Sequence, residues 1–277
     1  METVPQKLDQ VLKIYGPYPL HKAALLGHKN NLKFLLDNGH SPNQTNYDCM
    51  TPLHEACLQN KVECAQILIE YGAKVNAHSA DGGTPLCSAC AAGNISCVEL
   101  LMQMGAEVNP PLALSTPLHE ACFRGSMDCM SVLIRAGARL NANDCHFGTP
   151  LHAATVMNRP HCVKLLLQAG ALVNATKIHE TALHIAAREN LIEVVQVLLE
   201  FGANVFASNN QNKLPIDLIP EAHGVVFKLL VHYAAYPASL KDLSRRTVRS
   251  VLGSQRIRLL SSLDIPQSLL LYLMHKE

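Results

Sequence analysis

Tryptophan is missing from these 277 residues, and aromatic side chains make up only 5% of them. A core must therefore be built from the aliphatic, alanine and thiol side chains among the 48% that are hydrophobic. Neither sign of charge dominates, since 23 Lys and Arg against 22 Asp and Glu leave +1. That balance excludes a strongly basic nucleic-acid surface or a polybasic membrane patch as the main function. Long apolar runs are also lacking. The longest charge-free stretch, residues 82–98, is interrupted by Gly, Pro, Ser and Asn, whereas a membrane span needs about 20 mostly apolar residues. Residues 1–17 carry Glu2, Lys7, Asp9 and Lys13 and no apolar segment of the kind a secretory signal needs. The expectation is an intracellular chain, in the cytoplasm or also the nucleus. Its ten cysteines are then expected to be reduced thiols rather than a disulfide framework.

What the sequence does have is a period. Thr51-Pro52-Leu53-His54 recurs as Thr84-Pro85-Leu86-Cys87, Thr116-Pro117-Leu118-His119, Thr149-Pro150-Leu151-His152 and Thr181-Ala182-Leu183-His184, at steps of 33, 32, 33 and 32 residues. A divergent copy starts at Tyr18-Pro19-Leu20-His21 and a degenerate one at Leu214-Pro215-Ile216-Asp217. A glycine stands 21 residues after each of the first six starts, at Gly39, Gly72, Gly105, Gly137, Gly170 and Gly202. Thr is a good helix N-cap, and Pro fits the first helical turn, where no amide bond is lost. A short helix such as Leu53–Gln59 is predicted after each start. A second, carrying pairs such as Ile67-Leu68 and Leu165-Leu166, is predicted to end at the column glycine in a left-handed conformation. Each unit then returns through an extended segment with Asn43, Asn76, Asn109, Asn141 or Asn174. One helix pair cannot bury its apolar faces alone, so neighbours must stack.

These residues resemble the ankyrin repeat, whose signature is T-P-L-H-x-A at a 33-residue period. The resemblance covers residues 18–235 as six clear repeats and a frayed seventh. It implies an all-α solenoid of helix pairs with fingertip loops, which usually binds proteins and catalyses nothing. Residues 1–17, with Leu8, Val11, Leu12 and Ile14 at helical spacing, are expected to cap the first repeat.

The period also accounts for most of the apparent chemistry. Cys57, Cys90 and Cys122 share one column, and Cys64, Cys97, Cys129 and Cys162 share another. Cys87-Ser88-Ala89-Cys90 has C-x-x-C spacing, but its positions recur where no such pair exists, and structural zinc needs four ligands. No metal and no cofactor is therefore expected. His21, His54, His119, His152 and His184 form a column at helix starts, where the imidazole is expected to bond backbone groups or Thr hydroxyls. His54-Glu55 and His119-Glu120 begin like H-E-x-x-H, but Leu58 and Phe123 occupy the second histidine position. Neither a G-x-x-x-x-G-K-[ST] phosphate loop nor a G-x-S-x-G nucleophile turn occurs. No catalytic residue is expected.

After Tyr236-Pro237 the period stops and the charge changes. Residues 237–277 hold seven cationic side chains against three anionic ones, +4, which leaves −3 for residues 1–236. Three short helices are predicted. The first runs over residues 238–252 with Leu240, Leu243, Ser244, Thr247, Val248 and Val251 as one stripe. The second carries Ile257, Leu259, Leu260 and Leu263, and the third opens at Pro266. So many apolar residues in about forty need another surface to bury them.

This tail resembles the SOCS box. In that family a small residue and Leu, then Cys four later, then an aliphatic residue four later again bind elongin C. The match here is Ser239-Leu240, Ser244 and Val248, with the Cys replaced. The cullin-binding part of the family reads L-P-Φ-P, against Leu263-Asp264-Ile265-Pro266 here, so the first Pro is missing. The whole chain is thus similar to the ankyrin repeat and SOCS box family, with residues 1–17 as cap, 18–235 as ankyrin repeats and 236–277 as the box.

That resemblance implies a substrate receptor of a cullin–RING ubiquitin ligase, with no bond chemistry of its own. Leu240, Leu243, Ser244 and Val248 would contact elongin C, which brings elongin B. Leu263, Ile265 and Pro266 would contact cullin five, which brings its RING subunit. The target protein would lie on the ankyrin fingers, at Tyr47, His78, Asp81, Leu112, Leu114, His146, Phe147 and Ile178, where exposed apolar and aromatic residues can be hot spots. The other class of reading is an ankyrin scaffold or sequestering protein whose box has decayed at Ser244 and Asp264.

Overall fold

The structure, a computed structural model, describes residues 4–111, 114–144, 146–220, 224–235, 244, 247–248, 252 and 266–274. They fall in two compact units, Met1–Ala138 and Arg139–Glu277.

In the first unit, helix α1 (Val4–Tyr15) precedes four helix pairs: α2 (Pro19–Leu26) with α3 (Lys29–Asp37), α4 (Pro52–Leu58) with α5 (Val62–Glu70), α6 (Pro85–Ala92) with α7 (Ile95–Gln103), and α8 (Pro117–Arg124) with α9 (Met127–Arg135). The second unit pairs α10 (Pro150–Val156) with α11 (Pro160–Gln168) and α12 (Ala182–Arg188) with α13 (Ile192–Glu200). A 3-10 turn, Pro215–Leu218, then leads to α14 (Val225–Ala235), and α15 (Gln267–Leu273) lies in the tail. The turn stays short because Pro220 lies just beyond it and bars an α-helix from continuing. Among the described residues, no helix is long and apolar enough to cross a membrane.

Thr51, Thr84, Thr116 and Thr149 are extended N-caps, with Pro at the first helical position. Each pair ends on its column glycine, all six with φ between 81° and 100°. A Cβ added at Gly39, Gly72, Gly105 or Gly137 would meet nothing within 4 Å. Backbone conformation alone therefore selects glycine there.

Within each unit, two ladders of hydrogen bonds tie helix pairs to their neighbours. In the first, His54 Nδ1 accepts from the Thr51 amide (3.0 Å) and lies 2.9 Å from Thr51 Oγ1. The amide fixes Nδ1 as an acceptor, so the ring proton is on Nε2, which donates to Gly83 O of the following repeat (3.3 Å). His184 repeats this arrangement onto Lys213 O and His152 onto Glu180 O. Cys87 substitutes for histidine by donating its thiol to Ser115 O (3.7 Å). In the degenerate copy Asp217 Oδ2 accepts from the Leu214 amide.

The second ladder uses the asparagine column, whose partner the sequence did not reveal. Asn43 Nδ2 donates to Gly72 O (2.9 Å) while its Oδ1 accepts from Lys74 N (2.7 Å). Asn76 makes the same pair of bonds to Gly105 O and Glu107 N, and Asn174 to Gly202 O and Asn204 N. Phe206 stands in the next place of this column, with 64% of its surface exposed.

Leucine, alanine and thiols fill the interior, as the lack of aromatics required. Leu53, Leu86, Cys57, Cys90, Cys97 and Cys122 are fully buried. Cys57 donates a hydrogen bond to Cys97, which with burial holds the Cys57 thiol well above its ordinary range and pulls that of Cys97 down. Burial likewise pushes the Cys90 and Cys129 thiols up. Cys49 is exposed in a fingertip.

The all-α array carries one short hairpin, in which Thr176–Lys177 (β1) and Glu180–Thr181 (β2) pair antiparallel in one fingertip. In α1, Ile14 is 67% exposed, while Val11 and Tyr15 are the buried residues. Tyr15 Oη lies 2.6 Å from His28 Nδ1 and accepts from Asn31 Nδ2 (2.8 Å). The apolar face of α1 thus follows Val11 and Tyr15, four residues apart, and leaves Ile14 toward solvent.

Replacing Gly105 with Ala should cost roughly 1–2 kcal/mol, the strain of a left-handed alanine, with no steric contribution; urea unfolding of the variant measures it. His54 titrates at about 4, lowered chiefly by burial, against an ordinary value of 6.5. As pH falls, the unfolded chain binds this proton first. The His54 contribution is therefore intact above about pH 6.5 and is lost toward pH 4, by about 3 kcal/mol. Unfolding free energies at pH 7.5 and 4.5 should fall that much more in the wild type than in His54→Gln.

Candidate functional site

The fingertips are tight hairpins built by the same few interactions. Asn46 N donates to Met50 O (3.0 Å), Ser79 N to Gly83 O (2.8 Å) and Asn209 N to Lys213 O (3.0 Å). Asn46 Oδ1 accepts from the amides of Asp48 and Met50, and Asp144 Oδ1 from those of His146 and Phe147. Such side-chain acceptors hold turns closed without secondary structure.

In the first unit, neighbouring fingers are also bonded to one another. Ala80 N donates to Asp48 O (2.9 Å) and Leu114 N to Asp81 O (3.3 Å). Three fingers therefore form one ledge that displays Tyr47 (90% exposed), Asp48, Asp81 and Leu114 (52% exposed). Tyr47 packs edge-on against Tyr18, with ring centroids 5.5 Å apart, and Tyr18 packs edge-on against His21 at 5.4 Å. His78 is half-buried, with Nδ1 3.2 Å from Gly82 O in its own finger. Leu112 lies outside the described residues.

In the second unit, Lys177 Nζ donates to His146 O and sits 6.0 Å from the centre of the Phe147 ring. Ile178 and His179 form the tip of the β1–β2 hairpin at φ 48° and 67°, and Ile178 is 70% exposed. A β-branched residue rarely takes a left-handed conformation. Arg188 Nη1 at the base donates to both oxygens of Glu180 (2.9 and 3.1 Å). His146, Phe147 and Ile178 are thus on neighbouring fingertips here, and Tyr47, Asp81 and Leu114 are on one ledge in the first unit.

Of the tail residues singled out, Leu240, Leu243, Leu263 and Ile265 lie outside the described residues. Ser244, Thr247, Val248 and Leu252 are helical, and Ser244 and Val248, one turn apart, are exposed. Pro266 is exposed and opens α15, as the sequence indicated. Leu273, 7% exposed, anchors a cluster with Leu252, Leu270, Tyr272 and Met274. That cluster joins the helical turn at Leu252 to α15.

Comparison with known proteins agrees with this construction. Family models for ankyrin repeats match residues 20–111, 72–144, 112–177 and 166–219, and the model for the SOCS box matches residues 236–274. Ankyrin repeat and SOCS box protein 13 of Mus musculus is 49% identical over 134 residues, 48% of each chain. Ankyrin repeat and SOCS box protein 5 of Homo sapiens is 41% identical over 100 residues, 36% of this chain and 30% of that protein. The chain spans about half the length, or less, of these relatives. Among solved structures, the human ASB11 ankyrin repeat domain has a TM-score of 0.73 at 37% identity, covering 79% of this chain and 99% of that one. The ankyrin repeat domain of Bcl-3 has a TM-score of 0.65 at 28% identity over 78% of this chain and 99% of that one. Helix pairs closed by column glycines, a tail that matches the SOCS box and these relatives lead to one conclusion: the chain belongs to the ankyrin repeat and SOCS box family.

Proposed function

We propose that this protein is the substrate receptor of an elongin B/C–cullin five–RING ubiquitin ligase. The observation that carries the reading is the SOCS box match at residues 236–274 behind a protein-binding repeat array. Ser244 and Val248 are exposed on successive turns of one helix, the placement a groove in elongin C requires of its contacts. By sequence spacing alone, Leu240 and Leu243 belong to the same stripe. Leu263, Ile265 and Pro266 serve the cullin.

The mechanism is proximity. A target held on the fingers has its lysines at high local concentration beside the charged ubiquitin-carrying enzyme, and no side chain of the receptor enters the chemistry. Ser244, where the family has Cys, and Asp264, where it has Pro, favour a second reading in which the box has decayed and the repeats act as a scaffold.

Co-purification with elongin B and C at equal expression separates the two. Wild-type protein should carry both elongins, and Leu240→Asp should lose them while keeping its helical circular dichroism. Folded wild-type protein that carries neither would establish the scaffold. Asp264→Pro restores the fixed backbone angle of the family pattern and should tighten cullin five binding severalfold in a titration of the elongin-bound receptor, with elongin affinity unchanged.

A further inference from the structure

The first copy of the repeat breaks the rule that governs the histidine column. In the later copies that carry the histidine, the N-cap residue is a Thr with ψ of 160–165°, and its amide reaches the ring nitrogen. In the first copy that residue is Tyr18, with ψ 67°. His21 Nε2 still reaches Met50 O (2.8 Å), but Nδ1 is left without a hydrogen-bond partner although the residue is 5% exposed. A buried acceptor in that state is costly. The His21 ring packs edge-on against the Tyr18 ring, whose outer neighbour is Tyr47.

Beside this aromatic pair the surface is acidic. Asp48 follows Tyr47 directly, and Asp81 is on the next finger, fixed to the first by the Ala80–Asp48 backbone bond. Among the described residues neither carboxylate forms a salt bridge, nor does Glu55 on α4. Burial raises the Glu55 carboxyl, and the nearby charge of Asp48 raises it further. An exposed tyrosine face beside free carboxylates suits a guanidinium, which stacks on the ring and pairs with the acid.

We propose that the ledge formed by Tyr18, Tyr47, Asp48 and Asp81 binds a basic segment of the target protein through an arginine, with the orphaned His21 nitrogen as a buried acceptor at its base. The proposal rests on the receptor reading and specifies the chemistry of the target on the first unit. The remaining exposed apolar fingers then add contacts around a cationic anchor.

The test is a selection of random twelve-residue peptides displayed on phage, against the full-length wild-type chain. Enriched peptides should carry arginine well above its frequency in the library. Each recovered peptide, remade synthetically, should bind about tenfold more weakly to Asp48→Asn/Asp81→Asn and to Tyr47→Ala, and more weakly at 0.5 M salt. These side chains are on the surface, so circular dichroism and melting should match the wild type. Peptides without cationic enrichment, unchanged affinity in both variants, or no recovered binder would each overturn the proposal. Elongin co-purification is independent of it: its loss with peptide binding intact would remove the ligase reading and leave the basic-segment site standing.

Discussion

The structure depends on hydrogen bonds that no repeat can make by itself. An asparagine in one return loop closes the carbonyl of the next column glycine, and a histidine at one helix start donates to the carbonyl ahead of the next. Both groups are nearly inextensible, so they set spacing as well as stability. The interior adds burial of leucine and small side chains, which is non-directional and would tolerate sliding. Polar bridges of fixed geometry forbid it. Within each unit the pairs are held to their neighbours in one register, and the fingertips inherit that register.

This division explains what was legible in the sequence. The period, the threonine caps and the column glycines act on the local backbone, so their meaning can be read from one copy. Histidine in its column was readable in part: the threonine bond is three residues away, while the carbonyl it donates to is 29 residues on. The asparagines were visible as a column, but their partners, about 30 residues ahead, were not. At α1 spacing alone could not choose between Ile14 and Tyr15, because the choice was made by His28 and Asn31. The hairpin at Ile178 was hidden because the sequence there lacks the glycine or asparagine that usually marks such a turn. In the box, the stripe through Ser244 and Val248 and the start at Pro266 followed from periodicity and proline. The packing of Leu252 on Leu273 did not, since it joins two helices by tertiary contact.

In this repeat array the cysteines and histidines of the helix columns serve the packing and the ladders. Among the described residues every thiol but that of Cys49 is buried and most are kept protonated, and the histidine column is locked in one tautomer. Variation is then free to concentrate at the fingertips, where a change of exposed side chain leaves the ladders intact. Tyr47, Asp81, Phe147 and Ile178 differ from one another because nothing in the ladder specifies them.

Phe206 stands where an asparagine would reach forward to another glycine. Each asparagine works like an adhesive face on a brick, ready to receive a further copy of itself. Linear arrays built of self-complementary units have an inherent growth problem, because any exposed end can accept another unit, from a duplicated gene segment or from a second molecule. A phenyl ring at that place offers neither donor nor acceptor. The asparagine ladder thereby stops at this position, while the histidine ladder goes one copy further, through His184 to Lys213 O.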